Sequence, residues 1–149
     1  MKNYEIERKY LIKTLPEDLE SYPYHDIEQG YLCTDPVVRI RRQDDEYILT
    51  YKSKGLMVRE EYNLALTREA YLHLRRKIDG HLISKRRYLI PYGPHTIELD
   101  RFFSPREGLL LAEVEFQSEE DALTFRAPDW FAEDVTASSM YHNSTLSHS

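Results

Sequence analysis

A single cysteine, Cys33, excludes an internal disulfide framework and suits a reducing compartment. No apolar run reaches membrane-spanning length. The opening MKNYEIERKYL alternates charged with apolar residues, so neither a signal peptide nor a membrane anchor is expected and the cytoplasm is the expected location. No GxxxxGK loop is present to cradle a nucleotide, and no Cys/His spacing suits zinc. His25, His73, His81, His95, His142 and His148 are scattered and read as surface residues. Internal repeats, linkers and low-complexity blocks are also lacking, and the 149 residues (1–149) read as one domain.

What is present is charge in a regular pattern. Charged residues make up 31% of the chain and hydrophobic ones 41%, with a net charge of −6. The acidic balance argues against a nucleic-acid partner, whose electrostatic footprint is usually basic. Period-two alternation dominates, which is the mark of strands with two unlike faces. Strands are expected at 3–12, 27–33, 37–43, 47–53, 57–65, 82–92, 96–103 and 109–117. A helix is expected over 67–78, with Thr67 as N-cap and Gly80 just past its end, and a second over 118–125 from a Ser-Glu-Glu-Asp start. Residues from about 136 to 149 read as a polar, Ser-rich tail, with a short helix ending in disorder. Trp130 beside Phe131 is expected to pack a helix or the tail against the strands. About eight strands with few helices predict an all-β-dominated fold, a closed eight-stranded antiparallel β-barrel with flanking helices, because closure removes exposed edges.

Charges fall on one face of each strand and are sorted by sign. Glu5, Glu7 and Lys9 share a face of the first strand, Glu98 and Asp100 of the seventh, and Glu113 and Glu115 of the eighth. Arg39 and Arg41 lie on the third, Lys52 and Lys54 on the fourth, Arg59 and Glu61 on the fifth, and Lys85 and Arg87 on the sixth. A single such strand is most simply an amphipathic strand with a solvated outer face. Sorting by strand favours another arrangement, in which the aliphatic faces pack outward under helices and the charges line a polar lumen.

The inward set then holds eight cations (Lys9, Arg39, Arg41, Lys52, Lys54, Arg59, Lys85, Arg87) and seven carboxylates (Glu5, Glu7, Glu61, Glu98, Asp100, Glu113, Glu115). Buried charge must be paired or meet a ligand. Guanidinium and ammonium groups suit a polyanion such as phosphate, and i, i+2 carboxylate pairs supply the hard oxygens that Mg²⁺ or Mn²⁺ takes.

The motif Glu5-Ile6-Glu7-Arg8-Lys9 resembles the ExExK signature of the CYTH superfamily, the triphosphate tunnel metalloenzymes. The resemblance continues in order through Gln29-Gly30-Tyr31-Leu32, Arg39-Ile40-Arg41, Lys52-Ser53-Lys54, Arg59-Glu60-Glu61, Lys85 with Arg87, Ile97-Glu98-Leu99-Asp100 and Glu113-Val114-Glu115. It implies an eight-stranded tunnel that binds triphosphate with Mg²⁺ or Mn²⁺. Carried across, Glu5, Glu7, Glu113 and Glu115 resemble the metal set. Lys9, Arg39, Arg41, Lys52, Arg59, Lys85 and Arg87 resemble the triphosphate cradle, and Tyr31 with Lys85 an acid–base pair. One departure is Met140, where relatives often carry a basic residue ahead of a Tyr-x-Asn segment, here Tyr141-His142-Asn143.

The expected function is metal-dependent hydrolysis of a small triphosphate, tripolyphosphate above all, with Glu113, Glu115, Lys85 and Tyr31 as catalytic candidates. Within the same family stand adenylate cyclases and nucleoside or thiamine triphosphatases. Outside enzymes stands a polyphosphate-binding module without turnover. Monomer and homodimer stay equally open.

Overall fold

The computed structural model describes residues 4–148. Nine antiparallel strands form one sheet: β1 (Tyr4–Ile12), β2 (Tyr24–Thr34), β3 (Val37–Gln43), β4 (Glu46–Lys52), β5 (Val58–Ala65), β6 (Asp79–Tyr92), β7 (His95–Ser104), β8 (Leu110–Glu115) and β9 (Phe131–Asp134). In space they run β5-β4-β3-β2-β6-β7-β8-β1, and β1 returns to β5 through Tyr4–Ile6, closing an eight-stranded barrel. The ninth strand pairs with Tyr10 and Ile12 of β1, covering the edge that β5 leaves open. Sequence periodicity does not show β9 because four residues are too few to alternate convincingly.

Three short helices accompany the barrel among the described residues: α1 (Arg68–Arg75), α2 (Glu119–Thr124) and α3 (Asn143–Leu146). Thr67 caps α1 by accepting from the Ala70 N–H at 3.0 Å, and Ser118 caps α2 by accepting from Asp121 at 3.1 Å. Helix α1 stops three residues short of the expected 78, and Gly80 is not its cap. Gly80 lies within β6 at φ +71°, where an added Cβ would collide with the Ser147 carbonyl. Its role is to let the end of the chain lie against β6, where the His81 N–H donates to Ser147 O at 2.6 Å.

The barrel is inside out compared with an ordinary globular sheet. Ile6, Tyr10, Tyr88, Ile90, Ile97, Leu99, Ala112 and Val114 form an apolar layer on its outer surface, roofed by Leu19, Ala122, Phe131 and partly by Trp130. Arg8, which interrupts the apolar side of β1, is accommodated by pairing with Asp134 of β9 at 2.7 Å and donating to Ala122 O at 2.8 Å. The alternate residues point inward, and along the barrel they change character. Leu11, Tyr31, Val37, Ile83, Phe102 and Leu111 make an apolar plug at one end, and charged residues fill the rest.

The tail belongs to that plug. Val135 and Leu146 are buried in it and Tyr141 packs beside them, so residues 136–148 are held down although their composition is polar. Leu146→Ala should therefore cost about 2–5 kcal/mol in a urea titration, the range for an aliphatic side chain removed from a packed core.

Candidate active site

A cavity of about 230 Å³ runs through the charged part of the barrel. Six carboxylates (Glu5, Glu7, Glu61, Glu98, Glu113, Glu115) and six cations (Lys9, Arg39, Arg41, Lys52, Arg59, Arg87) line it, with Tyr31, Thr50, Asn63 and the tail residues His142, Asn143 and Ser144. Twelve of the fifteen expected inward charges thus line one cavity. Strand register brings them there: Glu5 lies opposite Arg59, Lys52 opposite Glu61, Lys9 opposite Glu113, and Arg87 opposite Asp100.

The other three lie elsewhere. Lys54 lies two residues past the end of β4; its side chain is 83% exposed and pairs with Asp35 at 3.6 Å, at a mouth of the barrel. Asp100 and Lys85 stand behind the cavity wall, fully enclosed. Arg87 grips Asp100 with Nε and Nη2 at 2.8 and 2.9 Å, and Lys85 Nζ meets the same carboxylate at 2.8 Å. Lys85 also donates to Asn143 Oδ1 at 3.0 Å. Asp100 therefore uses its oxygens on two cations of β6, and Arg87 holds its carboxyl below the usual range against the opposing effect of burial. Burial, with Arg87 and Arg41 nearby, draws the Lys85 ammonium down to about 7 despite Asp100.

Pairing in the cavity is incomplete, and the remainder is segregated. Glu5 is held by Lys52 at 2.9 Å and by Arg59 at 3.5 Å. Glu113 is shared between Lys9 and Arg87, each at 3.5 Å. On β3, by contrast, Arg39 and Arg41 have no carboxylate partner among the described residues. Arg39 donates to Thr50 Oγ1 at 3.3 Å and its buried Nε has no acceptor. Arg41 donates to Gln29 Oε1 at 2.8 Å, and burial with Arg39 and Arg87 close by lowers its guanidinium to about 9. Gln29, Thr50 and Asn63 thus orient or flank the arginines; Gln29 stands in one of the blocks that carry the family resemblance, whereas Thr50 and Asn63, uncharged residues of alternating strands, carry no signal that would single them out.

The opposite wall has surplus negative charge. Register sets Glu7 directly across from Glu115 and Glu98 across from Glu113. Like charges facing each other across a ladder repel unless a cation intervenes. Among the described residues Glu7 has one ion pair, with Arg59 at 3.8 Å, and burial with Glu113 and Glu5 raises its carboxyl to about 8. Burial with Glu5, Glu98 and Glu61 raises Glu115 to about 7. As they stand, no three carboxylates among the described residues converge tightly enough to coordinate an ion, Glu5 and Glu113 being turned toward cations. The donor set nevertheless fits a hard divalent cation: oxygen ligands only, on adjoining strands, with negative charge that the chain leaves uncompensated.

A closed antiparallel barrel that turns its charges inward, with guanidinium groups free of carboxylates on one side and crowded carboxylates on the other, has the charge layout that suits a small polyanion and a cation together. The chain belongs to the CYTH domain family, which matches it over residues 3–149. It is 39% identical over 148 residues to a protein of Nitrosomonas europaea named inorganic triphosphatase, covering 95% of each chain. A second protein so named, from Acetivibrio thermocellus, is 33% identical over 152 residues, with 95% of this chain and 92% of the relative covered. The crystal structure of an inorganic triphosphatase superimposes with a TM-score of 0.69 at 36% identity, over 97% of this chain and 95% of that one. No helix among the described residues is long and apolar enough to cross a membrane.

The raised Glu7 carboxyl makes a testable statement about stability. Its folded pKa of about 8 exceeds the ordinary 4.5, so the folded state holds a proton that the unfolded state releases. The group's contribution is present below about 4.5 and is lost as pH rises toward 8. In EDTA, Glu7→Gln should be more stable than the parent at pH 7.5, and that gain should shrink toward zero at pH 5. Urea denaturation at the two pH values checks it.

Proposed function

We propose that this chain is a metal-dependent triphosphatase whose substrate is inorganic triphosphate, cleaved to pyrophosphate and phosphate. The observation that carries the reading is the segregated surplus: Arg39 and Arg41 without carboxylates on β3, facing a cavity whose far wall crowds Glu7 and Glu115 together. The names of the two relatives point the same way. The volume of about 230 Å³ favours a bare triphosphate over a nucleotide, since pockets for larger organic ligands run to roughly 300–1,000 Å³. The same argument disfavours the adenylate cyclase reading, which needs room for a base. The soluble cytoplasm is the proposed location.

The proposed roles follow the walls. Lys9, Arg39, Arg41, Lys52, Arg59 and Arg87 hold phosphate oxygens and stabilise the charge that develops on them in the transition state. Glu5, Glu7, Glu113 and Glu115 hold the divalent ion, Mg²⁺ or Mn²⁺; when bound, it supplies charge neutralisation and Lewis-acid polarisation of the phosphoryl group. Glu61 and Glu98 flank that set. Glu113 and Glu115 orient the attacking water in line with the terminal phosphorus. Tyr31 is proposed as the proton donor from the cavity wall. Lys85, whose ammonium lies near neutrality behind that wall, keeps Asp100 and the tail in place and would share its proton with the site only if it leaves Asn143.

Phosphate release should be strong with tripolyphosphate and Mg²⁺ or Mn²⁺, weak with ATP, GTP and thiamine triphosphate, and absent in EDTA. Glu113→Gln should lower kcat by about 10²-fold or more, as loss of a group acting in the transition state does. Arg39→Ala should instead raise KM by roughly 10-fold, as expected for one charge-assisted contact. Full turnover in EDTA together with an unimpaired Glu113→Gln would overturn the proposal. Metal-dependent binding without turnover would show a binding module in its place.

A further inference from the structure

The sequence reading places His142 at the surface, but the structure seats it between the central cavity and the mouth where Lys54 and Arg59 lie. Both of its neighbours are fastened by lysines reaching out of the barrel. Lys9 Nζ of β1 donates to Tyr141 O at 3.1 Å, and Lys85 Nζ of β6 donates to Asn143 Oδ1 at 3.0 Å. The backbone of His142 is also committed: its N–H donates to Ser139 O at 3.2 Å, and its carbonyl accepts from Thr145 and Leu146 at 3.0 and 2.9 Å. Among the described residues the imidazole itself makes no hydrogen bond.

A ring so placed is held rigidly by its flanks and has its polar edge unused. The charges around it are Lys9 of β1, Lys52 of β4 and Arg59 of β5, with Glu113 of β8 as the counter-charge. Burial, then Lys9 and Arg59, push its pKa down to about 4, so the ring is a neutral imidazole with one N–H to give. A neutral donor among cations extends a phosphate cradle without adding to their repulsion. Met140, where the family pattern has a basic residue, is 59% exposed.

Resting on the triphosphate reading above, we propose that His142 is a substrate-contacting residue, its imidazole N–H donating to an oxygen of the phosphoryl group at the tail end of the cavity. The tail then serves as one wall of the binding site as well as part of the plug. Because the contact is made by a side chain held on a fixed backbone, it acts on binding more than on the chemical step.

The test uses the full chain. His142→Ala should raise KM for tripolyphosphate with Mg²⁺ roughly 10-fold, the expected size for one hydrogen bond to a charged group, with kcat held within about twofold. His142→Gln, which keeps an N–H donor, should recover most of the loss. In the parent protein, NMR titration with tripolyphosphate in EDTA should move the His142 ring resonances together with the Nε–H signals of Arg39 and Arg41. An unchanged KM in His142→Ala, or saturation of the arginine signals while the His142 ring stays still, overturns the inference. Absence of any response in arginines and ring alike overturns the triphosphate reading and this inference with it. Slow exchange of the His81 amide in His142→Ala should show that the tail remains seated. If that protection is lost, the KM change belongs to an unseated tail and the inference falls.

Discussion

Arg87 holds Asp100 with two parallel hydrogen bonds inside a barrel that excludes most water, and Lys85 closes on the same carboxylate from the same strand. A carboxylate that is 0% exposed could not stay ionised without such partners, because desolvating one charge alone is far costlier than desolvating a well-bonded pair. The cluster lets the wall of the barrel carry charge at all. It also holds Arg87 in reach of Glu98 and Glu113 at 3.4 and 3.5 Å, so the cavity lining inherits its order from residues that do not touch the cavity.

From that cluster outward the lumen is a problem in charge balance. Glu113 with Lys9 across the β1–β8 ladder, and Glu5 with Lys52 over the intervening β5, settle part of it. The chain leaves two surpluses, guanidinium on β3 and carboxylate across β1 and β8, and each is the complement of one component of a metal-bound polyphosphate. Stability is given up for this. Glu7 lies across the ladder from Glu115, and both carboxyls are shifted upward, by burial first, then by Glu113 and Glu5 around Glu7 and by Glu5, Glu98 and Glu61 around Glu115.

The apolar plug and the tail set the limits of the cavity. Tyr31, Phe102, Leu111 and Leu146 exclude water from one end, which strengthens every electrostatic contact beside them. Lys9 and Lys85 reach both inward to carboxylates and outward to the tail, so the charged site and the covering segment are mechanically one unit.

Much of this was legible in the sequence. Period-two alternation determined which residues share a face, and sorting of signs by strand pointed to a lumen, so the barrel and twelve wall charges follow from residue order. Whether Lys54, Lys85 and Asp100 touch the cavity did not follow, because strand tilt and the depth of a side chain in a closed barrel are fixed only when the strands pair. The short helix of the tail was legible, but its seating was not, for a related reason: Asn143, Ser144, Thr145 and Ser147 around Leu146 look soluble until Gly80 and the apolar plug are brought beside them. His142 belongs to the same class. Its place in the cavity follows from contacts of its neighbours Tyr141 and Asn143 with Lys9 and Lys85, more than 50 residues away in sequence. Local pattern determined the faces; long-range closure decided what each face encloses.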